Sequence, residues 1–392
     1  MTHVLVVGAG MTPFGNRRGA GVRQLALSAV EEALKDAGVA ETDVQRIFFG
    51  NAAAGAISHQ EMIRGQVAFR NHRLARVPMI NVENACASGS SSVHLAYQSI
   101  RSGAADVVIA MGVEQLNHED RVRPFNALRG STDIEDIGEG AADDEVSHSI
   151  LMEYYGAVAQ SYLDDYQATP EDFALVAVKN RRHAASNPLA HFRTPQTVED
   201  VLKGRMIRAP LTLPMCSPLT DGAAALVICS ESFARKLNVP ALEIVASHLG
   251  AGTGKDSSPV GEAAQAAYRV SGYGPTDFDL IELHDAAAPA ELLQYAEIGL
   301  CGEGEGHHLI REGVTSLGGR TPVNTSGGLL SRGHPLGATG CAQLVELCTQ
   351  LRGRADRRQV PNAQLAMAIN GGGWLDGTYA VAVATIMRRF NA

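Results

Sequence analysis

Along the chain, short runs of β-branched and aliphatic residues end in glycine turns and alternate with longer stretches whose apolar residues recur at helical spacing. This is the pattern of an α/β protein. VLVVGAGMTPFG at residues 4–15 and LEIVASHLGAG at 242–252 each predict a buried strand near the start of one half of the chain. A longer likeness links residues 81–115 with 323–374, because both run from a Val-Asn strand end through a Gly/Ser-rich turn into a long apolar helix and a further strand. In the first copy NVENACASGSSSVHLAYQSIRSG precedes ADVVIAMGVE, and in the second VNTSGGLLSRGHPLGATGCAQLVELCTQLRG precedes QLAMAINGGGW. The repeat predicts a duplicated α/β unit, two similar halves with mixed sheets covered by helices.

Residues 117–215 differ in texture, being polar and richer in Arg, His, Asn and Pro, with an acidic run from Asp133 to Glu145. We read them as an insertion, its acidic run a solvated face. Within it, PEDFALVAVKNRRHAASNP predicts one amphipathic helix that starts at Pro170-Glu171 and stops at Asn187-Pro188. The expected division is therefore a first half of residues 1–116 with 216–240, an inserted loop domain at 117–215, and a second half at 241–392.

The chain's 392 residues exceed what one small core holds, and 45% hydrophobic with 19% charged residues is globular composition, which argues against disorder. The net charge of −9 has the wrong sign for phosphate backbones or anionic lipid, so neither nucleic acid nor membrane is expected as a partner. The N-terminus has no basic region, and its apolar run breaks at Gly8 and Gly10, so it does not read as a signal peptide. No stretch nears the roughly 18 to 20 apolar residues a bilayer needs, and a cytoplasmic protein is expected. The six cysteines form no CxxC pair, so neither a zinc ribbon, a disulfide framework nor any other metal site is expected.

Several motifs fail on inspection. Gly8-Ala9-Gly10 lacks the third glycine of a dinucleotide fingerprint, having Pro13 there, and no P-loop, GxSxG elbow or HExxH occurs. His307 and His308, in a Gly/Glu-rich stretch, read as surface residues of a loop.

The candidate chemistry gathers elsewhere. Cys86 follows a predicted strand (Pro78 to Val82) and precedes a predicted helix whose first turn is Ser88 to Ser92. A thiol at a helix N-terminus feels unpaired N–H groups and the positive dipole end, which would lower its pKa and make it a nucleophile, whereas the bland alternative is a buried structural cysteine. The backbone N–H of Cys86 is itself a candidate oxyanion donor. His334 sits among glycines from Gly327 to Gly340, with Pro335 following, a rigid turn fit to aim an imidazole as the base a cysteine nucleophile needs. His284-Asp285 stands between the strand pattern LIELHD and the helix pattern AAAPAELLQYAEIGL, so Asp285 is expected to cap that helix and His284 to orient a water or polarise a carbonyl, or else to be a cap-region histidine. Asn370 leads into Gly371, Gly372 and Gly373, whose bare N–H groups would serve an oxyanion.

Together these segments resemble the thiolase superfamily from residue 4 to about 385. NVENACASGS resembles the nucleophile segment, which places the acyl-accepting cysteine at Cys86, and GGLLSRGHPLGATG resembles the histidine motif, which places the activating base at His334. HDAAAPAELLQYAEIGL is similar to the His-Asp segment of the sterol-carrier-protein-type (lipid-transfer-protein-like) branch, so that His284 would hold the water that helps bind the thioester oxygen. SPLTDGAAALVICS and VAVKNRRHAASNP are similar to the same branch. The departure is the second cysteine, the acid/base for the substrate α-carbon. Other thiolases carry it in the glycine turn, where Ala368 to Gly373 has none, and this branch carries it after His-Asp, where Ala286 stands. Cys301, Cys341 and Cys348 are no obvious replacements.

The resemblance implies a five-layer α-β-α-β-α sandwich of duplicated α/β halves with an inserted loop domain. It implies an acyl-CoA C-acyltransferase that cleaves or forms the C2–C3 bond of a 3-ketoacyl-CoA through a Cys86 acyl-enzyme. Coenzyme A enters as substrate, lying across 117–215 on residues the sequence does not single out, and no metal is implied. It further implies a homodimer joined at edge strands, or a dimer of heterodimers with a small zinc-ribbon/OB-fold partner acting on a bulky aromatic or steroid-like acyl group. The alternatives are a thiolase-fold retro-aldolase that acts on a 3-hydroxyacyl-CoA without a covalent intermediate, and a non-catalytic CoA-binding subunit.

Overall fold

The computed structural model describes residues 2–137, 149–237, 239–252 and 258–390. The first residues of the acidic run, Asp133 to Glu135, are exposed, and the run from 138 to Glu145 lies outside the described residues.

Eleven strands occur among the described residues: β1 (Val4–Met11), β2 (Arg46–Gly50), β3 (Met79–Val82), β4 (Val107–Glu114), the hairpin β5 (Met206–Arg208) and β6 (Leu211–Thr212), β7 (Gly222–Ser230), β8 (Leu242–Ala251), β9 (Leu280–Glu282), β10 (Leu365–Gly372) and β11 (Val381–Arg389). All but the hairpin join one sheet in the order β3-β2-β4-β7-β1-β8-β11-β10-β9. The two strands predicted from the first likeness, β1 and β8, meet antiparallel at its centre, with Leu5 opposite Glu243 and Val6 opposite Leu242.

Outward from that seam the halves repeat. Each has an antiparallel neighbour (β7 or β11), then a strand antiparallel to it (β4 or β10), then a parallel strand (β2 or β9). The first half ends in β3, parallel to β2, and the second in a single parallel bridge between Ile281 and Val323. Strands β4, β7 and β10 are buried along their whole length, which is why they read as continuous apolar runs without alternation.

Helices complete the layers. α1 (Val22–Ala37) packs Leu25, Ala29 and Ala33 on the outer face of the first half-sheet. α2 (Ser88–Arg101) lies on its inner face. The segment between β4 and the hairpin contributes α3 (Val122–Arg129), α4 (Ile150–Asp165) and α5 (Pro170–Ala185). The helix expected from Pro170 is α5; Pro170 is its first residue, and the Asp172 carboxylate accepts from Thr169 N at 2.7 Å.

In the second half, α6 (Pro259–Ser271) covers β8 and β11, and it is followed by α7 (Ala288–Glu297), α8 (Gly306–Arg311), α9 (Gly328–Ser331) and α10 (Thr339–Leu351). α2 and α10 share the space between the two half-sheets, so the order from α1 to α6 is helix, sheet, helices, sheet, helix: the five layers that the resemblance implied. Every residue of α10 except Thr349 is buried, as a helix enclosed on all sides must be.

One surface assignment is corrected here. His307 is buried on α8, its Nδ1 3.4 Å from the Tyr162 hydroxyl, because α8 packs against α5 and α7 and the Tyr162 side chain of α4 covers it; His308 alone of the pair is exposed.

Candidate active site

Cys86 sits in the short turn between β3 and α2. The preceding residue, Ala85, is held at φ 46°, a conformation that costs a residue with a Cβ, and Ala85 N donates to the Glu83 carboxylate at 2.6 Å. Ser88 Oγ accepts from Asn84 N at 3.0 Å and donates to Ala85 O at 2.7 Å, closing the turn around the thiol.

The expected depression of the Cys86 pKa is overturned. Burial first, then the Glu114 and Glu83 carboxylates, push it up to about 12, against a lowering contribution from the cysteine's own backbone N–H. A rise of that size from 9.0 is worth about 4 kcal/mol, more than the ~2 kcal/mol a helix end supplies at best, so the resting group is a thiol. Glu114, at the end of β4, takes four hydrogen bonds, from Asn51 Nδ2, Ala52 N, Ala53 N and Gly337 N, at 2.8 to 3.1 Å. Burial lifts its pKa to about 7 against those donors.

His334 follows α9 and is buried. Its Nδ1 lies 2.8 Å from Thr339 Oγ1, at the first turn of α10, and that hydroxyl donates its own hydrogen to Pro335 O at 3.1 Å. The hydroxyl has one hydrogen, so Nδ1 must be the donor to Thr339, and Nε2 is left with a free lone pair. Burial, with the neighbouring His284 and the Arg332 charge, holds the imidazole pKa well below its ordinary value, so the ring is neutral.

His284 follows β9, and Gln294 of α7 clamps its backbone: Gln294 Oε1 accepts from His284 N at 3.0 Å while Gln294 Nε2 donates to His284 O at 2.8 Å. Asn370 Nδ2 donates to His284 Nδ1 at 2.8 Å. This ring therefore carries its hydrogen on Nε2, the opposite tautomer to His334. Burial, then Arg332, lowers its pKa to about 3. The two imidazoles stand nearly perpendicular with centroids 5.2 Å apart. Cys86 Sγ and one ring nitrogen from each histidine all lie within 4.8 Å of one another. Such a trio has the composition of a three-ligand metal site.

These three groups open on a cavity of about 320 Å³ whose other walls are mostly apolar, including Leu128, Met152 and Tyr155 from the 117–215 segment and Trp374 and Tyr379 from the chain after β10. The exposed Arg205 stands at its rim. Gly372 and Gly373 border it. A Cβ on Gly372 would sit 2.3 Å from Asn84 O, so only glycine lets β10 run behind the Cys86 turn, and Gly373 takes φ +66°. Gly371 departs from expectation, since it does not border the cavity and is covered by the Tyr379 ring.

Asp285 also departs. It does not cap α7, whose N-cap position is Ala287, but accepts from Leu329 N at 2.7 Å and Leu330 N at 3.3 Å at the start of α9, pinning the loop that carries His334. Ala286 lies on the cavity wall, and next to it lies Cys216, a thiol the sequence does not single out, joined through the Ser217 N to Ala286 O bond of 3.0 Å. Thr339, Gln294 and Glu114 are likewise unforeseen; only the Gly-framed spacing from His334 to Thr339 offers a signal for any of them.

Residues 4–205 match the family model described as thiolase, N-terminal domain, and residues 252–385 match the one described as thiolase C-terminal domain-like. The chain belongs to the thiolase family. This thiolase is 37% identical to an acetyl-CoA acetyltransferase of Methanothermobacter thermautotrophicus over 97% of its own length and 99% of that protein's. It is 37% identical to a benzoylsuccinyl-CoA thiolase subunit of Thauera aromatica, covering 94% of this chain and 95% of that one. To sterol carrier protein 2 of Bos taurus it is 36% identical, over 94% of this chain and 70% of the other, the similarity of a sterol-carrier-protein-type thiolase.

Among solved structures it resembles an Ltp2-ChsH2(DUF35) aldolase, with a TM-score of 0.80 at 27% identity over 99% of this thiolase and 98% of that chain. It is an acyltransferase of the thiolase family, and among its described residues no helix is long and apolar enough to cross a membrane.

Proposed function

We propose that this thiolase breaks, or in reverse forms, the C2–C3 bond of a 3-ketoacyl-CoA through an acyl group carried on Cys86, with coenzyme A as the second substrate. One observation carries the reading: Cys86 Sγ and one ring nitrogen from each of His334 and His284 lie within 4.8 Å of one another, and all three residues line one cavity. Cys86 gives its proton to His334 Nε2 as its sulfur adds to the C3 carbonyl, so no bare thiolate is stored in the dry pocket. His284 Nε2–H donates to the oxygen that becomes negative, with Gly372 and Gly373 beside it. The bond to C2 then breaks, and the thiol of CoA resolves the Cys86 thioester.

The cavity supports an aromatic or similarly compact apolar acyl group. An apolar cavity of roughly 150 Å³ takes one benzene; this one, at about 320 Å³, is about twice as large and must also admit the thioester end of the carrier. Coenzyme A would approach past Arg205, the charged side chain at the rim. The exposed edge strand β3, with Ile80 half exposed, supports a homodimer made by strand pairing. The aldolase it resembles is named together with a second component, ChsH2(DUF35), and that pairing extends the reading to a heteromeric complex with a small zinc-ribbon/OB-fold protein.

Intact-protein mass spectrometry after brief mixing with an aryl 3-ketoacyl-CoA should show the acyl mass on Cys86 and none in Cys86→Ala. An unmodified Cys86 in an enzyme that still turns over would refute the covalent step. A second reading, retro-aldol cleavage of a 3-hydroxyacyl-CoA, is favoured by the structural likeness to an aldolase and by Ala286 in the place of an acid/base cysteine. It requires no free CoA and predicts full activity in Cys86→Ala.

A further inference from the structure

The step after Cys86 attack leaves a carbanion on C2 that must be protonated, and Ala286 offers only a methyl group. Cys216 lies on the same wall, but its Sγ donates away from the cavity, to Thr212 O at 3.5 Å. What borders the cavity instead is a pair of phenols. Tyr379 lies over the glycine turn with its ring 5.4 Å from the His284 ring and nearly perpendicular to it. Its hydroxyl is 3.0 Å from that of Tyr155, which reaches in from α4. Gln294 Nε2 donates to the Tyr379 oxygen at 3.4 Å, using the same amide that clamps His284.

Resting on the thiolase reading, we propose that Tyr379, with Gln294 donating to its oxygen and the Tyr155 hydroxyl beside it, is the acid/base group for the substrate α-carbon, in place of a second cysteine. In the first half-reaction the Tyr379 O–H bond breaks and a C2–H bond forms as the C2–C3 bond is cleaved. The products are an acyl-CoA, the Cys86 thioester, a Tyr379 phenolate and a protonated His334. The phenolate accepts hydrogen bonds from Tyr155 and Gln294.

In the second half-reaction the phenolate takes the S–H proton of CoA, the CoA sulfur attacks the thioester, and Cys86 leaves with the proton held by His334. All protons return to their starting atoms. Burial and the neighbouring Tyr155 hold the Tyr379 pKa well above its ordinary value. The phenol thus keeps its proton at rest, and the phenolate strips a CoA thiol, ordinarily near pKa 8.5, downhill.

Acetyl-CoA in D2O separates the roles. Wild-type enzyme should acetylate Cys86 and exchange the methyl hydrogens of acetyl-CoA for deuterium. Tyr379→Phe should still acetylate Cys86 to within about tenfold of the wild-type rate, since a CoA thiolate leaves unaided, and lose methyl exchange by at least 100-fold. Tyr155→Phe should lose about tenfold. Ala286→Cys placed in the Tyr379→Phe background should restore exchange by returning a thiol to the vacated role.

The proposal falls if Tyr379→Phe keeps exchange within threefold of wild type, if it loses acetylation and exchange together, if Ala286→Cys restores nothing, or if Cys216→Ala alone abolishes exchange. A wild-type enzyme that never acetylates Cys86 would instead sink the thiolase reading itself, on a separate readout.

Discussion

Thr339→Val tests the claim that a hydroxyl decides which nitrogen of His334 is the base. The substitution keeps the buried shape but removes the oxygen that accepts from Nδ1 at 2.8 Å, and with it the bond to Pro335 O. In the wild-type enzyme the Nδ1–H tautomer is favoured by one buried hydrogen bond; in the variant neither tautomer has a partner at Nδ1. Leaving a buried donor unsatisfied costs about 1–3 kcal/mol, which lowers the ratio of the productive tautomer to the other by about 5- to 150-fold and lowers kcat by the fraction of rings left in the wrong form. KM should not move, because Thr339 touches no part of the cavity. The assay is steady-state thiolysis of an aryl 3-ketoacyl-CoA, with Thr339→Ser as the control that keeps the hydroxyl and stays within threefold of wild type. A Val variant with unchanged kcat and an unchanged melting temperature would refute the tautomer argument.

Three further outcomes follow from the geometry. Gly372→Ala forces a methyl group to within 2.3 Å of Asn84 O and should cut Cys86 acylation at least 100-fold while costing about 1–3 kcal/mol of stability, measured by mass spectrometry and by urea melts. Trp374→Ala, which opens a cavity wall, should shift preference toward larger acyl groups, raising their kcat/KM relative to the phenyl substrate; a uniform loss for all chain sizes would count against the wall assignment. His183 is buried and neutral, with Nδ1 3.0 Å from Asn324 O and Nε2 accepting from Leu317 N at 3.0 Å, and burial lowers its pKa to about 3. Its folded value lies below its unfolded 6.5, so the unfolded chain binds more protons between those values, and the stability it contributes falls as pH drops through that window. The stability difference between His183→Gln and wild type should therefore move in the variant's favour by about 1.4 kcal/mol per pH unit below 6.5. A pH-independent difference would show that His183 takes up its proton in the folded protein as readily as in the unfolded chain, and would refute the buried neutral assignment.

What the residue pattern discloses, and what it hides, divides along a physical line. Cys86, His284 and His334 stand at ends of strands or in glycine frames, and such punctuation is written locally in the chain. The duplicated plan also implies that His334 faces Cys86 across the halves. The ionisation of Cys86 is not legible in its neighbours because it depends on Glu114, 28 residues further along on another strand, and on burial that only the assembled layers create. Asp285 reads as a cap for the helix after it, yet nearer N–H groups come from a loop more than forty residues away. His307 reads as a surface residue because a Gly/Glu-rich stretch does not show that Tyr162 will cover it. Tyr155 and Tyr379, 224 residues apart, share a hydrogen bond that no spacing rule connects.

The seam between β1 and β8 carries a consequence beyond architecture. Cys86 and the two histidines belong to different copies of the duplicated unit, so on the proposed reading neither copy alone holds a working centre, and turnover becomes a sensor of whether the two lobes have come together. Expressed as separate polypeptides cut near residue 240, the lobes would be silent singly and would gain activity on mixing, with the concentration dependence reporting how tightly they dock. An ancestral single lobe, by the same token, would have had to pair with itself before this chemistry existed.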